Sequence, residues 1–82
     1  MGNIDLLRFL RPSKKRPTQY RVWFYQHAGE AKQKLYKHDR YWYYECPERV
    51  GAGRHGCDSL AGAKGDLLCY EGTKVWSELM DL

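Results

Sequence analysis

The chain is 82 residues long with 43% hydrophobic content, which supports one domain with a small core and leaves too little apolar material for a second. Fourteen Lys/Arg against ten Asp/Glu give a net charge of +4, and the excess is lopsided: residues 1–40 carry ten basic and three acidic side chains, residues 41–82 four and seven. No apolar run suffices for a signal peptide or spanning helix, and Cys46, Cys57 and Cys69 are odd in number, so a reducing, cytoplasmic setting with no membrane partner is expected.

Asn3 suits the cap of a short helix in which Ile4, Leu7 and Leu10 recur at helical spacing until Arg11-Pro12 ends it. Pro12 and Pro17 then bracket Lys14, Lys15 and Arg16, so the rest of residues 1–18 reads as an extended basic arm. The stretch Gln19-Tyr20-Arg21-Val22-Trp23-Phe24-Tyr25-Gln26 is the first clear strand. Tyr20, Val22 and Phe24 are expected to face the core, and Arg21, Trp23 and Tyr25 to lie on the opposite side. His27-Ala28-Gly29-Glu30 supplies a turn, and Lys34-Leu35-Tyr36-Lys37 fits either a second strand or the wide end of a hairpin loop.

Arg40-Tyr41-Trp42-Tyr43-Tyr44-Glu45-Cys46 is the stretch around which the rest is organised. Four consecutive rings lose rotamer freedom in a helix and gain cross-strand contacts in a sheet, so this is a strand with Tyr41, Tyr43 and Glu45 on one face and Trp42, Tyr44 and Cys46 on the other. Both faces are expected to be covered. After Pro47 comes a Gly-containing loop, and Arg54-His55-Gly56-Cys57 reads as a strand stub. Asp58 or Ser59 caps a helix whose Leu60, Ala63, Leu67 and Tyr70 form one apolar stripe. Gly72 ends that helix, and residues 73–82 read as a second, amphipathic one carrying Val75, Trp76, Leu79 and Met80.

These elements predict an α+β fold. A small three-stranded, mostly antiparallel sheet packs on one main helix, short helices lie at the termini, and residues 19–72 form the core domain.

The basic arm and the surplus of aromatics point to non-catalytic nucleic-acid binding, of DNA in the first instance. Arg11, Lys14, Lys15 and Arg16 are expected on phosphates, with Arg21, Trp23, Tyr25, Lys37 and Arg40 as the adjoining surface. A second reading is a protein-binding inhibitor or adaptor that presents Trp76, Leu79 and Met80 to its partner. A third is a zinc-stabilised domain using Cys46, His55, Cys57 and Cys69. Their intervals of nine, two and twelve residues depart from the close pairs that zinc domains usually show, so structural cysteines and no cofactor are expected. His55 and Cys57 alone share a strand face. No nucleophile, base and orienting group assemble into a catalytic pattern, so enzyme activity is not expected.

In Tyr43-Tyr44-Glu45-Cys46 and Gly53-Arg54-His55-Gly56-Cys57-Asp58-Ser59-Leu60-Ala61-Gly62-Ala63-Lys64 the chain resembles small phage proteins, particularly those of actinobacterial phages. An aromatic strand, a Cys, a Gly-containing stub and a Ser-Leu-x-x-Ala-Lys helix start carry the resemblance. It implies an accessory protein of the host cytoplasm that binds DNA or blocks a host protein. The strand–strand–strand–helix outline is also similar to the DNA-binding sheet modules of integrase arms and AP2-type domains. The chain departs from those modules in its long loop before the aromatic strand and in Cys57, so no base-reading residue carries over.

Overall fold

A computed structural model of the protein describes residues 18–81; the expected N-terminal helix and the arm bearing Arg11, Lys14, Lys15 and Arg16 lie outside the described residues. Along the chain run β1 (Gln19–Gln26), β2 (Gln33–Lys34), β3 (Tyr36–His38), β4 (Tyr41–Glu45), a 3-10 turn (Glu48–Val50), β5 (Arg54–Cys57), α1 (Leu60–Leu68) and β6 (Lys74–Asp81). The strands form two antiparallel three-stranded sheets, ordered β2-β1-β6 and β3-β4-β5. The α+β class with one main helix is as expected, and the fold holds one sheet more than the sequence suggested. Among the described residues no helix is long and apolar enough to cross a membrane.

The expected C-terminal amphipathic helix is not formed. Residues 74–81 are β6, paired with β1 along its whole length from Gln26↔Lys74 to Gln19↔Asp81. Ten residues gain little as an isolated helix, whereas β1 offers an eight-residue edge of unpaired backbone groups; the ladder outweighs a weak helical periodicity.

The core is Tyr25, Leu35, Tyr44, Ala63 and Leu67, with Trp23, Trp42, Cys46, Cys57, Leu60, Tyr70 and Val75 packed around it. The inner face of β1 is therefore the Trp23–Tyr25 face, the reverse of the expectation from sequence. Val22, on the other face, is buried as well, while Tyr20 is exposed and Phe24 is half-buried against Trp76. Alternation fixes which residues share a face; which face is covered depends on where α1 and the second sheet dock.

Helix α1 begins where Ser59 Oγ accepts the Gly62 N–H at 3.0 Å. Ala63 and Leu67, four residues apart, are fully buried between the sheets. Ser59→Ala is expected to lower stability by about 1 kcal/mol, read as a shift in the urea midpoint at unchanged slope.

The backbone of one residue of β4 joins the two sheets. Glu45 donates its N–H to Tyr25 Oη at 2.6 Å, and its carbonyl accepts a hydrogen bond from His27 Nε2–H at 2.7 Å. The Nδ1 of His27 takes the Thr73 hydroxyl at 2.8 Å, and Tyr25 donates onward to Gln33 Oε1 at 3.2 Å. A carbonyl can only accept, so Nε2 of His27 is the donor of this bond, while its Nδ1 pairs with the Thr73 hydroxyl, which can donate or accept. Burial pushes the Tyr25 phenol above its ordinary pKa, so it stays protonated as this bridge requires.

Candidate nucleic-acid interface

The outer face of the β3-β4-β5 sheet is not covered by any described element. Strand register places Tyr36 opposite Tyr43, His38 opposite Tyr41 and Glu45 opposite Arg54, all on this side. The Tyr36 and Tyr43 rings stack at 5.4 Å between centroids, and Tyr41 leans toward Tyr43 at 6.4 Å. Tyr36 is 39% and Tyr41 42% exposed, large values for rings in a domain with so small a core.

Gly56 explains how this surface stays flat. A Cβ there would fall 2.9 Å from Tyr43 Cε1, so its hydrogen lets the Tyr43 ring lie down over β5. The Arg54 guanidinium sits 5.9 Å from the centroids of both Tyr36 and Tyr43, within cation–π range, and reaches Glu45 at 3.7 Å. Asp39 takes the left-handed conformation (φ 58°) at the two-residue β3–β4 turn, which sets the exposed Arg40 beside Tyr41. The result is a platform of three tyrosines with Arg54 against two of its rings.

Tyr36 also borders a groove of about 260 Å³ between the sheets, lined among others by Arg21, Trp23, Lys34, Lys37 and Trp42. β2 meets β1 only at Phe24 and Tyr25, so the chain diverges here and leaves the Arg21 stretch of β1 without a neighbour on that side among the described residues. Arg21 Nη1 donates to Ser77 Oγ at 2.7 Å. Groove and platform meet at Tyr36.

The residues expected on the binding surface fall in different places. Arg21 and Lys37 line the groove, and Arg40 is exposed in the β3–β4 turn. Tyr25, 1% exposed, is core and offers no ring to a ligand. Trp23 is half-buried, with the Lys64 ammonium 3.9 Å from its ring centroid. Tyr36, Tyr41, Tyr43 and Arg54 were missed. The alternation of the aromatic strand already grouped Tyr41 with Tyr43, but it carried no sign that the face would be left open.

Trp76, Leu79 and Met80 do not form one surface, because β6 alternates. Trp76 and Met80 lie beside Phe24 and Tyr20, while Leu79 points to the opposite side. Trp76 stacks on Phe24 at 6.0 Å, and Lys32 covers the Phe24 ring at 4.5 Å. The Trp76 indole N–H, helped by Lys32, holds the Glu78 carboxyl below its ordinary range.

The four residues weighed as zinc ligands divide. Cys46 accepts a hydrogen bond from Tyr70 Oη at 3.4 Å, and Cys69 is exposed beyond the end of α1. His55 and Cys57 share the inner face of β5, as their spacing predicted, and meet Asp66 of α1. All three thiols are free. Burial and the neighbouring Asp66 push the Cys57 thiol up to about 11, the opposite of an activated nucleophile.

Comparison with protein-family models, with curated proteins and with solved structures gives no match to this chain.

Proposed function

We propose that this protein binds single-stranded nucleic acid without catalysing a reaction, DNA being the first ligand to test. The observation that carries the reading is the open Tyr36–Tyr41–Tyr43 face with Arg54 against two of its rings. Bases of a single strand have free π-faces, and exposed tyrosines flanked by cations receive them without regard to sequence. Arg21, Lys34 and Lys37 continue the positive track into the groove. The stretch holding Arg11, Lys14, Lys15 and Arg16 precedes β1 in sequence and supplies further phosphate contacts. An accessory protein of a phage in the host cytoplasm, the context that the sequence resemblance implies, has use for such a module.

Fluorescence anisotropy with labelled single- and double-stranded oligonucleotides tests the proposal. Single strands are expected to bind more tightly, and affinity to fall by at least about tenfold between roughly 50 and 200 mM salt as several phosphate contacts are lost. Absence of binding at low salt would sink the reading. It would favour a protein partner instead, paired along the edge of β6 that no described strand covers, where Leu79 is 57% exposed and Met80 37%.

A further inference from the structure

The inner side of β5 carries a second cluster, on the opposite side of the strand from the tyrosine platform and independent of it. Arg54 and Gly56 face the platform; His55 and Cys57 point toward α1. Asp66, on α1, meets both. Its Oδ2 accepts the Cys57 S–H at 3.3 Å and lies 3.8 Å from His55 Nε2. One ligand atom from each residue lies within 4.8 Å of the other two.

At zinc bond lengths of about 2.0–2.3 Å, the corners of a tetrahedron stand roughly 3.3–3.8 Å apart. The Cys57–Asp66 edge of 3.3 Å and the His55–Asp66 edge of 3.8 Å lie within about 0.5 Å of the roughly 3.6 Å and 3.3 Å that sulfur–oxygen and nitrogen–oxygen pairs span on the ion. The frame holding them is firm: His55 pairs with Tyr44 across the β4–β5 ladder, and Asp66 belongs to the helix anchored by the buried Ala63 and Leu67. Tyr44 donates its phenolic hydrogen to the same Asp66 Oδ2 at 3.4 Å, orienting the carboxylate as outer partners do in metal sites. A groove of about 360 Å³, lined by Tyr44, His55, Asp66, Cys69 and Tyr70, opens the cluster to solvent.

We propose that His55, Cys57 and Asp66 bind a divalent zinc ion through imidazole nitrogen, thiolate sulfur and carboxylate oxygen, with water in the fourth position. The donor set suits zinc and not magnesium or calcium, which take oxygen ligands. On binding, the Cys57 S–H bond breaks, its proton leaves to solvent, and the sulfur and the Asp66 oxygen turn to the ion. No electron is transferred.

Calorimetric titration of the full-length, metal-free protein with zinc chloride tests this, with magnesium chloride as control and cobalt(II) as a spectroscopic probe. One equivalent of zinc is expected, with no magnesium uptake, a thiolate-to-cobalt charge-transfer band and the strong visible bands of a tetrahedral ion. His55→Ala and Cys57→Ala are each expected to weaken zinc binding by more than about 100-fold, since a direct ligand counts for more than an outer partner. His55 is exposed, so that variant keeps its fold and its metal-free melting temperature. Cys69→Ala retains binding. Failure to take up zinc, wild-type affinity in both ligand variants, a cobalt spectrum without thiolate charge transfer, or loss of the metal from Cys69→Ala in preference to His55→Ala would each overturn the assignment. The triad would then be a hydrogen-bonded cluster and nothing more.

Discussion

Replacing His27 by alanine is expected to lower the stability of this domain by about 3–4 kcal/mol, the largest effect of any single change outside the packed apolar side chains. The side chain is 1% exposed and touches both sheets: Nε2–H serves the Glu45 carbonyl of one, and Nδ1 takes the hydroxyl of Thr73 at the entry to β6 of the other. Alanine leaves a carbonyl and a buried hydroxyl without partners, each costing about 1–3 kcal/mol, and opens a cavity beside Tyr25 and Tyr70, whose rings pack on the imidazole at 5.3 and 5.7 Å. A domain of this size holds only about 5–15 kcal/mol in all, and each kcal/mol moves its melting temperature by roughly 4–8 °C. Thermal unfolding followed by circular dichroism should show a fall of at least about 12 °C, against almost none for the exposed His38→Ala. A His27→Ala melt within a few degrees of wild type would mean that the sheets are held together by apolar packing alone.

That clamp also shows where the sequence stops being legible. The 59–70 stripe, the Ser59 cap and the alternation of both long strands depend on neighbours within a few residues, and these features are present in the structure. His27 stood in a turn-like stretch beside Ala28 and Gly29, where a solvated histidine is the default reading; its partners Glu45 and Thr73 are eighteen and forty-six residues away. The same kind of separation hid β6, whose helical spacing of Val75, Trp76, Leu79 and Met80 is real but is overruled by an edge 48 to 62 residues upstream. It hid the inner face of β1 too, because periodicity does not carry the sign of burial. Of the candidate surface, Arg21, Lys37 and Arg40 could be named from charge, whereas Tyr36, Tyr41 and Tyr43 became visible only once one sheet face was found uncovered among the described residues. Asp66 as partner of His55 and Cys57 needed the helix docked on β5.

The double variant Tyr36→Ala/Tyr41→Ala is expected to weaken single-strand binding between about 30-fold and about 20,000-fold, from about 1–3 kcal/mol for each base–ring stack. Both rings are exposed, so the fold loses little beyond the Tyr36–Tyr43 stack, about 0.5–1.5 kcal/mol, and the circular dichroism spectrum should be unchanged. The salt series separates stacking from charge. Removing rings lowers affinity equally at every salt concentration, because no phosphate contact is lost and the slope of log affinity against log salt stays constant. Replacing Lys14, Lys15 and Arg16 together should instead flatten that slope by up to about 2–3 units, at about 0.7–0.9 per phosphate lost. Arg54→Ala belongs between the two, since its guanidinium both lies against Tyr36 and Tyr43 and carries a charge. If the tyrosine variant binds as wild type does while the arm variant loses everything, the strand is held by phosphate contacts alone, the open face of β3-β4-β5 is not the interface, and its exposed rings need a different ligand.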